Sequence, residues 1–282
     1  MLTVCSTGVI SSTLVSISSD LGRPLTTVDK SLITSCTSLG ALIASPVTGI
    51  LADKFGRKAI IIAADLLFIV GTLWQAVSQT VGGMIFGRTV IGFAIGGASL
   101  VVPLYVSEVS PSNFRGKLVT LSILLITLGQ VISYFIGYAL SLQKGGWRWM
   151  IGLGAAPAFV QFGLMIVLPE SPRWLVKAGN TQDAREVLRK VYAEGGEAAV
   201  ERVLRAIKLE ISDEDLTSGD ISIAETGNKF QVQLTRIRNR SAELVHVSGN
   251  RRALTIACLL QGLQQLCGFV SFWRPHRPVG PS

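Results

Sequence analysis

The sequence predicts an all-α polytopic membrane protein, and three observations carry that expectation. Stretches free of Lys, Arg, Asp and Glu run through Ser31–Ala52, Leu66–Gly87, Thr89–Ser107, Leu118–Gln143, Trp149–Pro169 and Ala253–Trp273. Each is close to the ~20 residues of helix that cross a hydrocarbon layer. Charged residues make up 16% of the 282 positions and hydrophobic ones 49%, whereas a soluble domain carries about 25% charge. The positive residues also crowd into alternate connections. Lys54, Arg57 and Lys58 follow the second span, Arg115 and Lys117 the fourth, and Arg173, Lys177, Arg251 and Arg252 flank the long segment after the sixth. The positive-inside rule makes these connections cytoplasmic. The net charge of +8 is thus a topology signal, and the expected surroundings are a lipid bilayer rather than nucleic acid.

The elements follow in order. Residues 1–168 are read as a transmembrane bundle. Met1–Ser19 is uncharged but rich in Ser and Thr, without the basic start of a signal peptide, and is taken as an incomplete first span. Spans over roughly 34–52, 58–77, 82–106, 117–141 and 148–168 come next. Gly40, Ala44 and Thr48, then Gly92, Gly96 and Ser99, then Gly129, Ser133 and Gly137 stand three or four apart, a spacing that lets helix backbones approach closely in lipid. Asp65 lies inside the third span and is expected to face protein or water.

Residues 169–250 read as a polar cytoplasmic loop with short amphipathic helices. Asn180 or Thr181 can cap one helix, with Asp183 and Glu186 early, Arg189 and Lys190 late, and Val187, Leu188, Val191 and Tyr192 as its apolar stripe. A second helix is predicted over about 197–211, with Val200, Val203, Leu204 and Ile207 on one face. Ser212–Asn228 reads as an acidic flexible link. Residues 251–282 open a seventh span and end in Phe272-Trp-Arg-Pro-His-Arg-Pro-Val-Gly-Pro-Ser282, whose prolines cannot continue a helix.

Chemistry of the catalytic kind is not expected. Cys5, Cys36, Cys258 and Cys267 have no ligand spacing, and His246 and His276 have no partner nearby in sequence. No nucleophile–base pair, metal set or phosphate-cradling loop stands out. The reading is a non-enzyme without cofactor or metal.

Five motifs in register then give a family resemblance. Gly49-Ile-Leu-Ala-Asp53-Lys-Phe-Gly56-Arg57-Lys58 resembles the signature loop of the major facilitator superfamily. Gly87-Arg88-Thr-Val-Ile-Gly92, Pro103-Leu-Tyr-Val-Ser-Glu108-Val-Ser-Pro111 leading to Arg115-Gly116-Lys117, Pro169-Glu170-Ser-Pro172-Arg173-Trp174-Leu175, and Gln264-Gln265 with Gly268 are similar to the sugar porter family. Val9-Ile10-Ser11-Ser12, Ser38–Ala41 and the Glu108 region look closest to its inositol-transporter branch. The resemblance implies a six- to seven-helix N-terminal half of such a carrier, and transport of a sugar or polyol, hexose or myo-inositol in type, by alternating access. The divergent tail and the incomplete first span make a truncated, inactive form part of that expectation. A non-transporting fragment and a membrane nutrient sensor or receptor are the alternatives.

The resemblance also assigns roles. Asp53, Arg57, Glu108, Arg115, Glu170 and Arg173 would form a cytoplasmic gate of salt bridges. On physical grounds Asp53 can face the positive N-terminus of a neighbouring helix or an arginine, while ordinary interfacial charges marking helix ends are the plainer reading. Gln130, Gln264 and Gln265 would bind substrate, since an amide both donates to and accepts from hydroxyls; a buried glutamine bridging helices is the other reading. Arg88 is an intramembrane charge that needs a partner or water. Proton-coupled relatives pair it with a first-helix aspartate, and here that position holds Ser6, so proton coupling is in doubt and a facilitator is expected. A multi-pass protein of the plasma membrane completes the reading.

Overall fold

The computed structural model describes residues 26–141, 146–192 and 196–222, together with 251–252, 255–256, 258–260 and 263. The first predicted span, the tail, Gln264 and Gln265 lie outside the described residues, as does the side chain of Arg115. Nine helices are described between Thr27 and Ser222: α1 Thr27–Phe55, α2 Arg57–Val77, α3 Val81–Val109, α4 Ser112–Ser141, α5 Gly146–Gly154, α6 Ala156–Val167, α7 Pro172–Lys177, α8 Thr181–Val191 and α9 Gly196–Ser222. Two compact units divide the chain, Met1–Ile211 and Ser212–Ser282.

Among the described residues five helical stretches, with α5 and α6 counted as one, are long and apolar enough to cross a membrane. The second of the expected spans starts earlier than its apolar run suggests. Thr26 caps it through a reciprocal box with Asp29: Asp29 N–H donates to Thr26 Oγ1 at 3.2 Å, and Thr26 N–H donates to Asp29 Oδ2 at 3.1 Å. That box satisfies two end donors and carries charged residues into the helix. The span expected over 148–168 is broken at Ala155, because Pro157 sits in the opening turn of α6 and has no N–H to continue the hydrogen-bond ladder of α5.

Close approach of α1 and α3 organises the bundle. A methyl on Gly92 would sit 2.4 Å from Thr37 O and one on Gly96 2.4 Å from Ala41 O, both backbone atoms, while Gly40 meets Thr89 O at 2.9 Å. The small-residue stripe continues through Gly97, which faces Thr48; Ser99, expected on it, is exposed. On α4, Gly129, Ser133 and Gly137 are buried among exposed neighbours. Leucine and isoleucine gain nothing by leaving lipid for another helix, so backbones meet where side chains are smallest.

Larger apolar residues fill what remains in three clusters. Ile33, Val81, Met84, Trp147, Met150 and Ile151 gather near one end of the bundle. Phe68, Ile69, Ile91, Ala94 and Ala158 form the middle, and Ala52, Ile61, Val101, Tyr105 and Met165 the other end. Residues such as Leu42, Ile43, Leu124, Phe135 and Val167 stay exposed, which suits helices solvated by hydrocarbon.

After α6 the chain becomes polar. Leu175 of α7, Val187 and Leu188 of α8, and Val200 and Leu204 of α9 bury one another, so both predicted stripes meet in a single small core. Asn180 stands at the N-cap of α8 but makes no side-chain cap hydrogen bond. The flexible link expected from Ser212 is overturned as far as Ser222, because α9 runs on without a break. No proline interrupts this stretch and no glycine precedes Gly219, so helix costs the backbone little there.

Candidate functional site

The charged motifs converge at the end of the bundle where α1 gives way to α2. Gly56 separates the two helices at φ 97°, a left-handed conformation open to glycine. Its N–H closes α1 on Ala52 O at 3.1 Å, and the next residue, Arg57, begins α2. Gly56 also has nothing to put in the way of Glu170, whose Oε2 would lie 2.5 Å from any methyl there.

Glu170 uses that space to cap α2. Its Oε1 accepts from the backbone N–H of Arg57 at 3.1 Å and of Lys58 at 3.0 Å, and its Oε2 lies 3.2 Å from the latter. The Ser171 N–H also donates to Oε1, at 2.9 Å. A helix N-terminus presents unpaired N–H groups and a positive dipole end, and a carboxylate satisfies both. Of the two partners anticipated for Asp53, the helix start is taken by Glu170, and Asp53 meets an arginine, Arg57.

Arg57 is buried and ties α1, α2 and α3 together. Its Nε lies 3.1 Å from Glu108 Oε2, and its Nη2 donates to Glu108 Oε1 at 3.2 Å. Its Nη2 also reaches Asp53 Oδ1 at 3.2 Å, while Nη1 donates to Ala52 O at 3.3 Å. Two-pronged contact of this kind suits a planar guanidinium. The Arg57 and Glu108 side chains are 6% and 5% exposed, whereas Asp53 is 58% exposed, so Glu108 is the partner that matters for stability. Ser171 Oγ donates to Glu108 Oε2, which joins the segment after α6 to the same pair.

Three further contacts surround this core. Tyr105 Oη donates to Pro169 O at 2.7 Å, Lys58 Nζ to Ile166 O at 2.9 Å, and Trp174 Nε1 to Asp53 O at 3.1 Å. Arg173, expected in the cluster, instead extends along α9, with Nη1 3.5 Å from Glu210 Oε2. The physical reason is the turn of α7: Pro172 and Leu175 are buried on one side, which directs residue 173 away from Arg57. Ser171, Tyr105, Trp174 and Lys58 were not singled out as gate residues from sequence. Ser171 had a legible signal, since a serine directly before Pro172 is a favoured N-cap, and its Oγ does accept from Trp174 N–H at 3.4 Å.

The residues expected around substrate are more scattered. Gln130 lies half-buried on α4 and donates to Tyr134 Oη one turn away, at 3.4 Å. Arg88 is 3% exposed on α3. Asp65 is fully buried in α2 and accepts from Gln161 Nε2 of α6 at 2.9 Å. Gln161 was legible as the lone amide within an apolar run, where a polar side chain needs an internal partner. Among the described residues no group of three or more His, Cys, Asp or Glu side chains is placed to hold a metal ion.

Comparison with known proteins adds to this geometry. The model of the family described as sugar (and other) transporter matches residues 6–273. Myo-inositol transporter 1 of Cryptococcus neoformans is 41% identical over 263 residues, which are 93% of this chain and 44% of that protein. Myo-inositol transporter 1 of Saccharomyces cerevisiae is 38% identical over 266 residues, 94% of this chain and 43% of that protein. Among solved structures, the major facilitator superfamily proton:xylose symporter XylE bound to 6-bromo-6-deoxy-D-glucose is 25% identical with a TM-score of 0.71, over 79% of this chain and 53% of that one. The chain spans less than half the length of these curated relatives.

Proposed function

The chain belongs to the sugar (and other) transporter family of the major facilitator superfamily, and from that premise we propose that it serves the movement of a polyol or sugar, myo-inositol first, across a membrane by alternating access. The family is one of transporters rather than enzymes. The observation that carries the substrate is the 41% identity to a myo-inositol transporter over 93% of this chain.

The charge cluster supports the mechanism. Arg57 and Glu108 lock α1, α2 and α3 at one end of the bundle, and Glu170 and Ser171 fasten α7 to the same point. A rigid assembly of helices that moves as a body is what rocking against a second repeat requires. The positive-inside bias puts this end in the cytoplasm. Gln130, with one amide hydrogen on Tyr134, is suited to a hydroxyl-rich ligand; Gln264 and Gln265 are assigned to substrate by resemblance alone. Arg115 belongs to the gate on the same ground. Ser6 cannot titrate, which favours facilitated movement without proton coupling. The membrane we assign is the plasma membrane.

The test is uptake of radiolabelled myo-inositol, glucose and xylose in cells lacking their own hexose and inositol carriers, with this chain expressed and with empty vector. Saturable myo-inositol uptake, undiminished when the proton gradient is collapsed, is the expected result. Uptake of all three at the vector background, with the chain present at the cell surface, would sink the transport reading in favour of a non-transporting membrane fragment or sensor.

A further inference from the structure

The gate and the candidate substrate residues leave one buried acid unused. Asp65 lies near the middle of α2, eight residues and so about 12 Å of helix from its start. Its side chain has no solvent exposure. Gln161 Nε2 donates to Oδ1 at 2.9 Å, while Oδ2 is buried without a hydrogen-bond partner among the described residues. One helical turn on, Phe68 and Ile69 belong to the apolar cluster completed by Ile91, Ala94 and Ala158, with Phe162 beside Gln161 packed against it.

Among the described residues no ion pair to the carboxyl comes from the helices packed on α2. On α6 there is no ionisable side chain at all. On α5, Arg148 lies over the Trp147 ring, 5.0 Å from its centroid. On α3, Glu108 is held by Arg57, and the hydrogen bond Asp65 receives comes from Gln161 of α6. On α1, Asp29 sits in its capping box and Asp53 on Arg57, and Lys30 and Lys54 lie toward the helix ends. A carboxylate in this setting would be an unpaired charge at membrane depth held by one neutral amide, with its second oxygen bare. Such a charge costs several kcal/mol. A proton taken from water onto Oδ2 removes the charge and leaves Oδ1 as a carbonyl-type acceptor, the role Gln161 already requires of it.

We propose that the Asp65–Gln161 contact between α2 and α6 is a proton-binding site, in which Oδ2 of Asp65 carries a resident proton and Gln161 fixes the carboxyl by donating to Oδ1. The site is separate from the gate. It is an uncharged bridge between two helices rather than a member of the substrate path, and its test needs no substrate, so it stands or falls apart from the transport reading.

Infrared spectroscopy of the full chain in lipid at neutral pH tests it. The wild type should show a protonated-carboxyl carbonyl band that is lost in Asp65→Asn, a change that keeps the acceptor for Gln161. The same band should shift to higher wavenumber in Gln161→Leu, because the carbonyl loses its donor. This second variant leaves Asp65 in place and keeps the test decisive should Asp65→Asn fail to fold. Absence of any protonated-carboxyl band in the wild type would overturn the proposal. So would a band that survives Asp65→Asn, or one that Gln161→Leu leaves unmoved.

Discussion

Replacing Arg57 with alanine should cost the bundle about 4 kcal/mol, and the contacts give the reason. Arg57→Ala removes the guanidinium at 3.1 and 3.2 Å from the two oxygens of Glu108, whose side chain is 5% exposed. Among the described residues the Ser171 hydroxyl alone remains on that carboxylate. Deleting one partner of a buried ion pair strands the other charge and costs about 3–5 kcal/mol. That figure includes the contact with Asp53, 58% exposed, worth roughly 0–1 kcal/mol, and the bond to Ala52 O, worth about 1 kcal/mol. At 1.4 kcal/mol per decade this approaches a 1,000-fold fall in the folded-to-unfolded ratio, to order of magnitude. Reversible unfolding in mixed detergent micelles measures it, in a double-mutant cycle with Glu108→Gln. In that background no charge is left stranded, so Arg57→Ala should cost only about 1 kcal/mol, a coupling of roughly 3 kcal/mol. A single-mutant cost within about 0.5 kcal/mol of zero, or an equal cost in both backgrounds, would refute the account.

Two further substitutions test the geometry around this pair. Gly56→Ala places a methyl 2.5 Å from Glu170 Oε2 at φ 97°; backbone strain of about 1–3 kcal/mol and a displaced cap should lower the melting temperature. Once it is present, Glu170→Ala should lower that temperature little further, and full additivity of the two would count against capping by Glu170. Gly92→Val, whose Cβ would fall 2.4 Å from Thr37 O, should force α1 from α3 and abolish the monodisperse peak on size-exclusion chromatography. Gly82→Val, with nothing within 4 Å, is the control; equal behaviour of the two would mean the close crossing is not needed.

Much of the architecture was legible because membrane helices announce themselves through length and the absence of charge. The small-residue stripe Gly40, Ala44, Thr48 was readable as a crossing surface, and it does meet α3, Gly40 against Thr89 and Gly92 and Thr48 against Gly97. The break at Ala155 was less visible, since a proline close to a helix start and one inside a helix look alike in a run of apolar residues. Pro46 and Pro103 lie within unbroken helices. Among the gate residues, spacing marked Arg57 and Glu108 as charges at helix ends but could not pair them, because they are 51 positions apart. Asp53 was expected to face a helix start or an arginine; it meets Arg57, and only the return of the chain after α6 brings Glu170 to the start of α2.

The sequence by itself determined that this chain is a bundle of membrane helices with its positive charge gathered on one side. Both properties depend on transfer between water and lipid, which composition and order already specify. The tertiary structure decided which charge meets which: Arg57 takes Glu108, Glu170 takes the start of α2, Arg173 turns to Glu210, and Asp65 finds Gln161. Pairing over such separations depends on how helices cross and where Gly56 turns the backbone. Those are properties of packing in three dimensions, where a difference of one helical turn exchanges one partner for another.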